Sequence, residues 1–371
     1  MVGLHGQYLK IKDEVDAAIQ GVIDSSAFIR GEDVQKFQDE LSAYLNVKHT
    51  VACGNGTDAL QVAMMTLDLK PGDEVITTPF TFIATVEVIR LLGLKPVFVD
   101  VKPDTFNMDP EQLEKAVTKR TRAVVPVHLF GQCADMESIM EVAGTHGLYV
   151  IEDNAQALGA DYLPAKGSSQ KAGTIGHIGC TSFFPSKNLG AFGDGGALFT
   201  NDLNLGKRAA SIVNHGMQVR YHYDLVGVNS RLDTIQAAIL RVKLQHLDDY
   251  HRLRQEVAAW YDSTLSGIDS LQTPVRSTFT THIFHQYTLQ VEESRRDALQ
   301  KWLKEKGIPS QIYYPLPLHL QQAYKDLGYE EGSLPVSEGL CKKVLSLPMH
   351  TEMEQDQLVY ISDQVQQFFK A

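Results

Sequence analysis

The chain has 371 residues, of which 43% are hydrophobic, and its 34 basic and 45 acidic residues give a formal net charge of -11. This length allows two domains, because single cores stop growing near about 250 to 300 residues, and the acidic balance disfavours nonspecific binding to nucleic acid or membranes. No apolar run approaches the roughly 18 residues of a membrane span, and the N-terminus becomes charged before a signal-peptide core can form. We therefore expect a cytoplasmic protein with no nucleic acid and no membrane partner.

Helical and strand patterns alternate along the first two thirds of the chain. Apolar residues recur at helical spacing over residues 8–24 and 34–45, which predicts two amphipathic helices. Further helical patterns cover residues 57–67, 110–117 and 135–145. Short β-branched runs between most of them predict strands at residues 74–78, 95–100, 122–129, 148–153, 179–184 and 196–200. This alternation predicts βα units and a mostly parallel sheet.

A smaller unit is predicted after the sheet. Residues 232–262 have the pattern of one long helix, and residues 286–291 alternate as a half-buried strand does. A helix over residues 293–306 should end at Gly307, and a final helix should start at the possible capping box Thr351–Glu354. The predicted domains are a large α/β domain, residues 1–245, and a small C-terminal α+β domain, residues 246–371.

The cysteines are widely separated and form no CxxC pair. They are Cys53, Cys133, Cys180 and Cys341. Because no His/Cys cluster has the spacing of metal ligands, we expect reduced, mostly buried thiols and no metal site.

One lysine stands just before a glycine-rich stretch in TSFFPSKNLGAFGDGGALFT, residues 181–200. A lysine amine acts as a covalent catalyst when it attacks a carbonyl, and pyridoxal phosphate (PLP) is its commonest protein-bound partner. A PLP site also needs a carboxylate for the ring nitrogen, donors for the phosphate and a flat group against the ring. Lys187 is therefore the candidate Schiff-base lysine; in a binding module without PLP it would be an ordinary surface residue.

Other stretches offer the remaining groups of such a site. Asp153 ends an apolar strand, where open α/β sheets present ligand-binding side chains, and Gln156 follows as a partner for the ring's phenolic oxygen. Gly56 and Thr57 lie in a glycine-rich turn before a helix, where free N–H groups attract anions. The last two candidates are Ser182 for the phosphate and Phe82 for stacking on the ring. Each also has an ordinary reading: a loop start for Asp153, a structural turn for the glycines and a core aromatic for Phe82.

Motifs of other nucleotide and hydrolase sites are missing. GNGTDAL, residues 54–60, lacks the Gly-Lys-Ser/Thr of a Walker A loop, and no strand–GxGxxG–helix fingerprint appears. KGSSQKAG, residues 166–173, does not fit the Gly-x-Ser-x-Gly of serine hydrolases. Neither class is supported.

Six motifs follow one another along the chain: GNGTDAL, PFTFIAT, VVPVHLFGQCADM, VIEDNAQALGA, TSFFPSKNLGAFGDGGA and VGVNSRLDTIQAAIL. Together they resemble the DegT/DnrJ/StrS group of PLP-dependent sugar-nucleotide aminotransferases. The resemblance extends from about residue 6 to about residue 350. Within the group, HLFGQCADM, CTSFFPSK and GVNSRLDT look most similar to the enzymes that aminate UDP-2-acetamido-2-deoxy-3-oxo-glucuronate in the biosynthesis of O-antigen, and so of lipopolysaccharide.

The resemblance implies the α/β fold of fold-type I PLP-dependent aminotransferases, with PLP as cofactor and glutamate as amino donor. Lys187 would hold the cofactor and move the proton, Asp153 would pair with the ring nitrogen and Gln156 with its oxygen. Gly56, Thr57 and Ser182 would hold the phosphate. Asn229 would reach the phosphate in the neighbouring subunit and Arg231 would lie near that shared site, which implies a homodimer with composite active sites.

The expected sugar contacts depart from the family pattern. Many relatives carry His-Tyr-Pro where this chain has Tyr313, Tyr314 and Pro315, followed by His319. Tyr313 can donate a hydrogen bond but cannot carry an imidazolium charge. The substrate-binding candidates are thus Arg231, Tyr313, Tyr314 and His319. The stretch NHGMQVRYHYD, residues 214–224, either lies near the sugar or faces solvent.

Several functions remain open within this resemblance. No arginine follows Arg296, whereas amino-acid aminotransferases of similar architecture commonly use a late arginine to clamp an α-carboxylate; this favours a nucleotide-linked keto sugar as substrate. The alternative acceptor is a TDP- or UDP-linked 3-keto- or 4-keto-6-deoxyhexose. PLP-dependent sugar dehydratases of the group replace the lysine by histidine, which Lys187 argues against. From a different class, the chain could be a catalytically idle PLP-binding regulator.

Overall fold

A seven-stranded sheet forms the centre of the computed structural model, which describes residues 2–370. Its strands in chain order are β1 (His49–Cys53), β2 (Glu74–Thr77), β3 (Lys95–Phe98), β4 (Thr121–Val124), β5 (Tyr149–Asp153), β6 (Ile178–Ser182) and β7 (Gly196–Thr200). Their order across the sheet is β1, β7, β6, β5, β4, β2, β3. Only β7 runs antiparallel to its two neighbours, so the prediction of a mostly parallel sheet is confirmed.

The described residues form thirteen α-helices, and some of them cover both faces of this sheet. In chain order they are α1 (Leu4–Lys10), α2 (Lys12–Ser25), α3 (Glu32–Leu45), α4 (Gly56–Thr66), α5 (Ala84–Leu91), α6 (Pro110–Ala116), α7 (Met136–His146), α8 (Leu203–Ile212), α9 (Thr234–Gln245), α10 (Leu247–Leu265), α11 (Glu293–Glu305), α12 (Pro335–Lys343) and α13 (Gln355–Lys370). One core joins the sheet to α4, α5 and α8, and another joins it to α6 and α7. Because both faces are buried, the strands are apolar runs rather than alternating ones.

A second, antiparallel sheet lies in the C-terminal third. It contains β8 (Leu271–Gln272), β9 (Tyr287–Val291) and β10 (Val344–Leu347), and it shares an apolar core with α10, α11 and α13. Helix α11 is followed by Gly307 with a φ of 72°, which confirms the predicted glycine stop. We keep the proposed domain boundary at residues 245/246, between α9 and α10.

The structure differs from the sequence prediction at several elements. Residues 232–262 form two helices, because His246 leaves helical geometry with φ -101° and ψ 1°. The final helix begins at Gln355 rather than Thr351, whose hydroxyl donates to Glu352. Strands β1, β8 and β10 and helices α5, α8 and α12 were not predicted.

All four cysteines are buried and free of disulfides, as expected. Within residues 2–370, the structure contains no helix with both the length and the apolar character needed to cross a bilayer.

Candidate active site

A cavity of about 550 Å³ opens where β1, β2, β4, β5 and β6 end. The carboxyl ends of strands in an open α/β sheet meet at one edge, where ligands bind. The cavity brings together most of the predicted site residues, which are Gly56, Thr57, Phe82, Asp153, Gln156, Ser182, Lys187, Tyr313 and Tyr314. These residues come from segments far apart in the chain, so the fold alone assembles them.

Lys187 stands in the tight turn that follows β6. Its backbone N–H donates to the Phe184 carbonyl at 2.8 Å, and a Cβ on Gly190 would lie only 2.3 Å from the Pro185 carbonyl oxygen. Glycine is therefore required for this turn to close. Burial lowers the pKa of the Lys187 amine to about 8, against the opposing effect of the Asp153 charge. In a fraction of the molecules the Lys187 amine is therefore neutral near pH 7 and available as a nucleophile.

Asp153 faces the same cavity from the end of β5, and two donors fix its carboxylate. Thr85 donates its hydroxyl to Oδ2 at 2.7 Å, and the Ala155 N–H donates to Oδ1 at 3.2 Å. The side chain is almost fully buried. Its orientation is therefore set before any ligand enters.

The strand end behind Asp153 is held by a fully buried pair, Glu152 and His128. The Glu152 carboxylate lies 2.7 Å from His128 Nε2 and accepts the N–H groups of Gly173, Ile175 and Gly176. The backbone N–H of His128 in turn donates to the Asp153 carbonyl at 3.0 Å. A buried carboxylate with this many donors is well satisfied and rigid.

Gln156 and Tyr314 form a hydrogen-bonded wall of the cavity. Gln156 Oε1 accepts the Phe130 N–H at 2.8 Å, so its Nε2 faces the other way and donates to Tyr314 Oη at 3.2 Å. Burial raises the pKa of the Tyr314 hydroxyl, which therefore stays protonated. Both groups can offer N–H or O–H donors to an oxygen in the cavity.

The turn before α4 has the features of an anion site. Asn55 caps the helix by accepting the Asp58 N–H at 2.8 Å. The N–H groups of Gly56 and Thr57, in the first turn, have no helical partners and point out of the helix. A Cβ on Gly56 would lie 2.6 Å from Ser182 Cβ, so the backbone here can approach Ser182 only as glycine. Backbone donors and the Ser182 and Thr57 hydroxyls thus converge at one corner.

Phe82 lines the cavity mouth with its side chain exposed. Its relative exposure is 57%, so it is not the core aromatic of the alternative reading. An exposed ring at a cavity offers a flat surface against which a planar ligand can stack.

Three predicted residues lie outside the cavity lining. Asn229 is exposed and forms an isolated bridge with Asn214, and Arg231 lines a separate surface groove. Their predicted role at a neighbouring subunit stays a prediction. His319 is buried, with Nε2 3.0 Å from Glu338 Oε1 and its ring near Tyr329. This environment gives His319 a structural contact within its own chain and does not support the predicted contact with substrate.

The sequence reasoning missed His285, which also lines the cavity. Asn188 donates its amide to the Ile283 carbonyl at 3.1 Å, so its Oδ1 faces His285 Nδ1 at 3.3 Å. Burial lowers the pKa of His285 well below its usual value, and the positive charge of Lys187 acts in the same direction. A neutral imidazole with its proton on Nδ1 therefore faces the lysine turn. Nothing in residue spacing connects positions nearly a hundred residues apart.

PLP fits this set of residues. The cavity has a partly buried amine of lowered pKa for the aldehyde, an oriented carboxylate, an exposed aromatic ring and free backbone donors at a helix N-terminus. Lys187, Asp153, Phe82 and Gly56 would hold the aldehyde carbon, the ring nitrogen, the ring face and the phosphate respectively.

Three curated relatives are similar over nearly their whole lengths. A "Pleiotropic regulatory protein" of Geobacillus stearothermophilus is 46% identical and covers 100% of this chain and 98% of its own. The UDP-2-acetamido-2-deoxy-3-oxo-D-glucuronate aminotransferase of Pseudomonas aeruginosa is 45% identical, covering 95% of each. The dTDP-3-amino-3,4,6-trideoxy-alpha-D-glucose transaminase of Streptomyces venezuelae is 40% identical, covering 98% of this chain and 94% of its own.

The X-ray structure of S. venezuelae DesV in complex with an intermediate superposes with a TM-score of 0.96 at 40% identity, covering 100% of this chain and 98% of that one. The family model for DegT/DnrJ/EryC1/StrS aminotransferases matches residues 9–366. Fold, cavity and sequence agree, and the chain belongs to the DegT/DnrJ/EryC1/StrS aminotransferase family.

Proposed function

We propose that this enzyme moves an amino group from glutamate to the keto group of a nucleotide-linked sugar, UDP-2-acetamido-2-deoxy-3-oxo-glucuronate, for O-antigen and lipopolysaccharide biosynthesis in the cytoplasm. The observation that carries the chemistry is the partly buried Lys187 side chain, whose amine has a lowered pKa and lies in the same cavity as the oriented Asp153. The support for the acceptor is the 45% identity to the P. aeruginosa aminotransferase of that name.

Bound PLP supplies an electron sink that stabilises negative charge on the reacting carbon. Lys187 would attack the aldehyde. Once the amino donor has displaced it, the free amine would move a proton from the α-carbon of the donor to the cofactor carbon that carries the nitrogen, and with the acceptor it would carry out the reverse transfer. Asp153 would keep the ring nitrogen protonated, because a fixed carboxylate stabilises the adjacent positive charge. Gln156 would donate to the phenolic oxygen of the cofactor ring, and Tyr313 and Tyr314 would contact the sugar.

We also propose a homodimer in which Asn229 and Arg231 reach the partner's site. In support, residues 217–226, which begin with a two-stranded hairpin over residues 217–223, expose apolar and aromatic side chains: Tyr221 at 70%, Tyr223 at 61% and Val226 at 86%. Large exposed apolar groups in one segment favour an interface. Light scattering should give twice the chain mass of 41.2 kDa, and a monomer at working concentrations would contradict the proposal.

Two alternatives remain. The acceptor of the second candidate is a TDP- or UDP-linked 3-keto- or 4-keto-6-deoxyhexose, favoured by the 40% identity to the dTDP-sugar transaminase. A catalytically idle PLP-binding regulator is favoured only by the regulatory or sensory names of two relatives. The complete set of Lys187, Asp153 and Gln156 in the cavity supports an enzyme instead.

The test follows the visible spectrum of the PLP-loaded protein. Glutamate alone should convert the yellow cofactor to its amine form, and the keto sugar that restores the yellow form is the acceptor. An idle regulator would show no conversion. Lys187→Ala should abolish turnover, whereas the exposed-lysine control Lys301→Ala, on α11, should retain it. A fully active Lys187→Ala enzyme would overturn the proposal.

A further inference from the structure

His285 has one ring nitrogen without a partner in the protein. Its Nδ1 lies 3.3 Å from Asn188 Oδ1, whereas its Nε2 forms no hydrogen bond within residues 2–370. The residue is only 7% exposed and lines the cavity of about 550 Å³ together with Lys187. Because buried polar atoms nearly always have a partner, a free nitrogen at a cavity indicates a partner that arrives with a ligand or with a moving side chain.

Asn188 determines which nitrogen of His285 carries the proton. The Asn188 amide donates from Nδ2 to the Ile283 carbonyl at 3.1 Å, so its Oδ1 is the atom that faces the ring. Since a carbonyl oxygen only accepts, the proton of His285 lies on Nδ1. The second nitrogen of a neutral imidazole is then an acceptor. His285 Nε2 therefore offers a lone pair to the cavity.

The surroundings of His285 keep its ring neutral. Burial lowers the pKa of His285 well below its usual value, and the positive charges of Lys187 and Arg254 act in the same direction. Arg254 is itself 5% exposed, so solvent screens its charge only weakly. A ring that stays neutral near pH 7 does not carry the proton of the reaction, but it remains an acceptor throughout.

Two buried cations hold the segments that carry Lys187 and His285. Lys243, on α9, donates to the Gly190 carbonyl in the turn of Lys187. Arg254, on α10, donates to the His285 carbonyl at 3.4 Å and to the carbonyl before it at 3.1 Å. Both cations are almost fully buried. The ring of His285 is therefore attached to a backbone that is fixed beside the turn of Lys187.

The proposed reaction leaves the Lys187 amine free during part of the cycle. A free amine ends a flexible four-carbon chain, and only some of its rotamers bring it to the reacting carbon. An acceptor on the cavity wall restricts these rotamers. It also stabilises the amine after proton uptake, because a hydrogen bond to the charged form of a group favours that form.

We propose that His285 is a positioning residue for Lys187, whose free amine donates an N–H to His285 Nε2 while it moves the proton. This inference rests on the proposed function, since only displacement by an amino donor frees the amine. The proton passes from the α-carbon of the donor to the Lys187 amine and then to the cofactor carbon that carries the nitrogen. His285 neither gains nor loses a proton.

Two substitutions at His285 separate its two ring nitrogens. The amide of asparagine reaches about as far as Nδ1, so His285→Asn keeps a donor for Asn188 and removes the acceptor. The amide of glutamine reaches about as far as Nε2, so His285→Gln keeps an acceptor. Stopped-flow absorption of the PLP-loaded protein should show His285→Asn reacting with glutamate about tenfold to about a hundredfold more slowly than wild type, and His285→Gln within about threefold. His146→Asn, an exposed histidine on α7, should match wild type.

Three further measurements separate positioning from packing. Cofactor-free His285→Asn should capture PLP within about threefold of the wild-type rate, because capture needs no proton uptake from carbon. With α-deuterated glutamate, the isotope effect of His285→Asn should be at least as large as that of wild type. NMR of the cofactor-free protein with ¹⁵N-labelled histidine should show the His285 ring neutral at about pH 6 with its proton on Nδ1. The signal is identified by its loss in His285→Gln.

The inference is overturned if His285→Asn and His285→Gln react with glutamate at the same rate, or if the isotope effect disappears in His285→Asn. A proton on His285 Nε2 would overturn it as well. Equal slowing of PLP capture and of the glutamate reaction in His285→Asn would show a packing role instead. A wild-type protein that captures PLP but does not react with glutamate would refute the proposed function together with the inference, whereas the other outcomes leave the proposed function standing.

Discussion

The lowered pKa of Lys187 makes a quantitative prediction for the cofactor-free protein. Burial moves the pKa of this amine from 10.5 to about 8. At pH 7, roughly one amine in ten is then neutral, against roughly one in 3,000 for an ordinary lysine. Because only the neutral amine attacks an aldehyde, covalent capture of added PLP should be about 300-fold faster than by an ordinary lysine at this pH.

The assay is stopped-flow visible absorption over about pH 6 to about pH 10, which brackets the two pKa values. The rate should rise with pH and level off above about pH 8, and Lys187→Ala should give only the background signal. Asp153→Asn removes the negative charge that raises the pKa of Lys187, so its plateau should begin at lower pH. A rate that still rises about tenfold per unit above pH 9 would show an ordinary lysine and refute the reasoning.

Two further substitutions test groups that support the cavity. Thr85→Val removes the 2.7 Å bond to the Asp153 carboxylate, worth about 1.5 to 3 kcal/mol, so the reaction with glutamate should slow about tenfold or more while PLP capture persists; an unchanged rate would contradict this. Lys243 is buried, donates to the Gly190 carbonyl and has a pKa lowered from 10.5 to about 8 by burial. Because the folded state disfavours its charged form, urea unfolding should show wild type gaining about 3 kcal/mol relative to Lys243→Met between about pH 8 and pH 10.5. A constant difference would mean that Lys243 titrates normally.

Elements with strong periodicity could be predicted from the sequence, and elements specified by tertiary contacts could not. The β-branched runs of β2 to β7 and the glycine stop after α11 are local signals. The break at His246 has no glycine or proline to announce it, so the continuous apolar pattern predicted one helix. Helix α5 has 8 residues and β1 has five, so neither is shorter than α6 or β2, which were predicted. Elements of this length depend on their tertiary neighbours as well as on their own propensity, so length alone does not separate the two groups.

The site shows the same division. Lys187, Asp153 and the Gly56 turn were found because each lies at a strand end or a helix start, where chemistry and local pattern coincide. His285 was not, since it lies nearly a hundred residues from Lys187 and Asn188 and only the fold brings it to the cavity. His319 follows the Tyr313-Tyr314-Pro315 motif closely in sequence, which suggested a role in substrate binding. In the structure it contacts Glu338 and Tyr329 inside its own chain.

The hydrogen bonds that hold the turn of Lys187 cross the proposed domain boundary. Asn188 bonds the Ile283 carbonyl and faces His285, and that segment is in turn bonded to Gly131 and to Arg254 of α10. The C-terminal third therefore provides one side of the scaffold on which Lys187 stands. A chimera that exchanges residues 246–371 between homologues would change the surroundings of Lys187 together with the proposed sugar contacts Tyr313 and Tyr314. Recombination at this boundary would thus alter rate and specificity together, unless the Asn188 partners were kept.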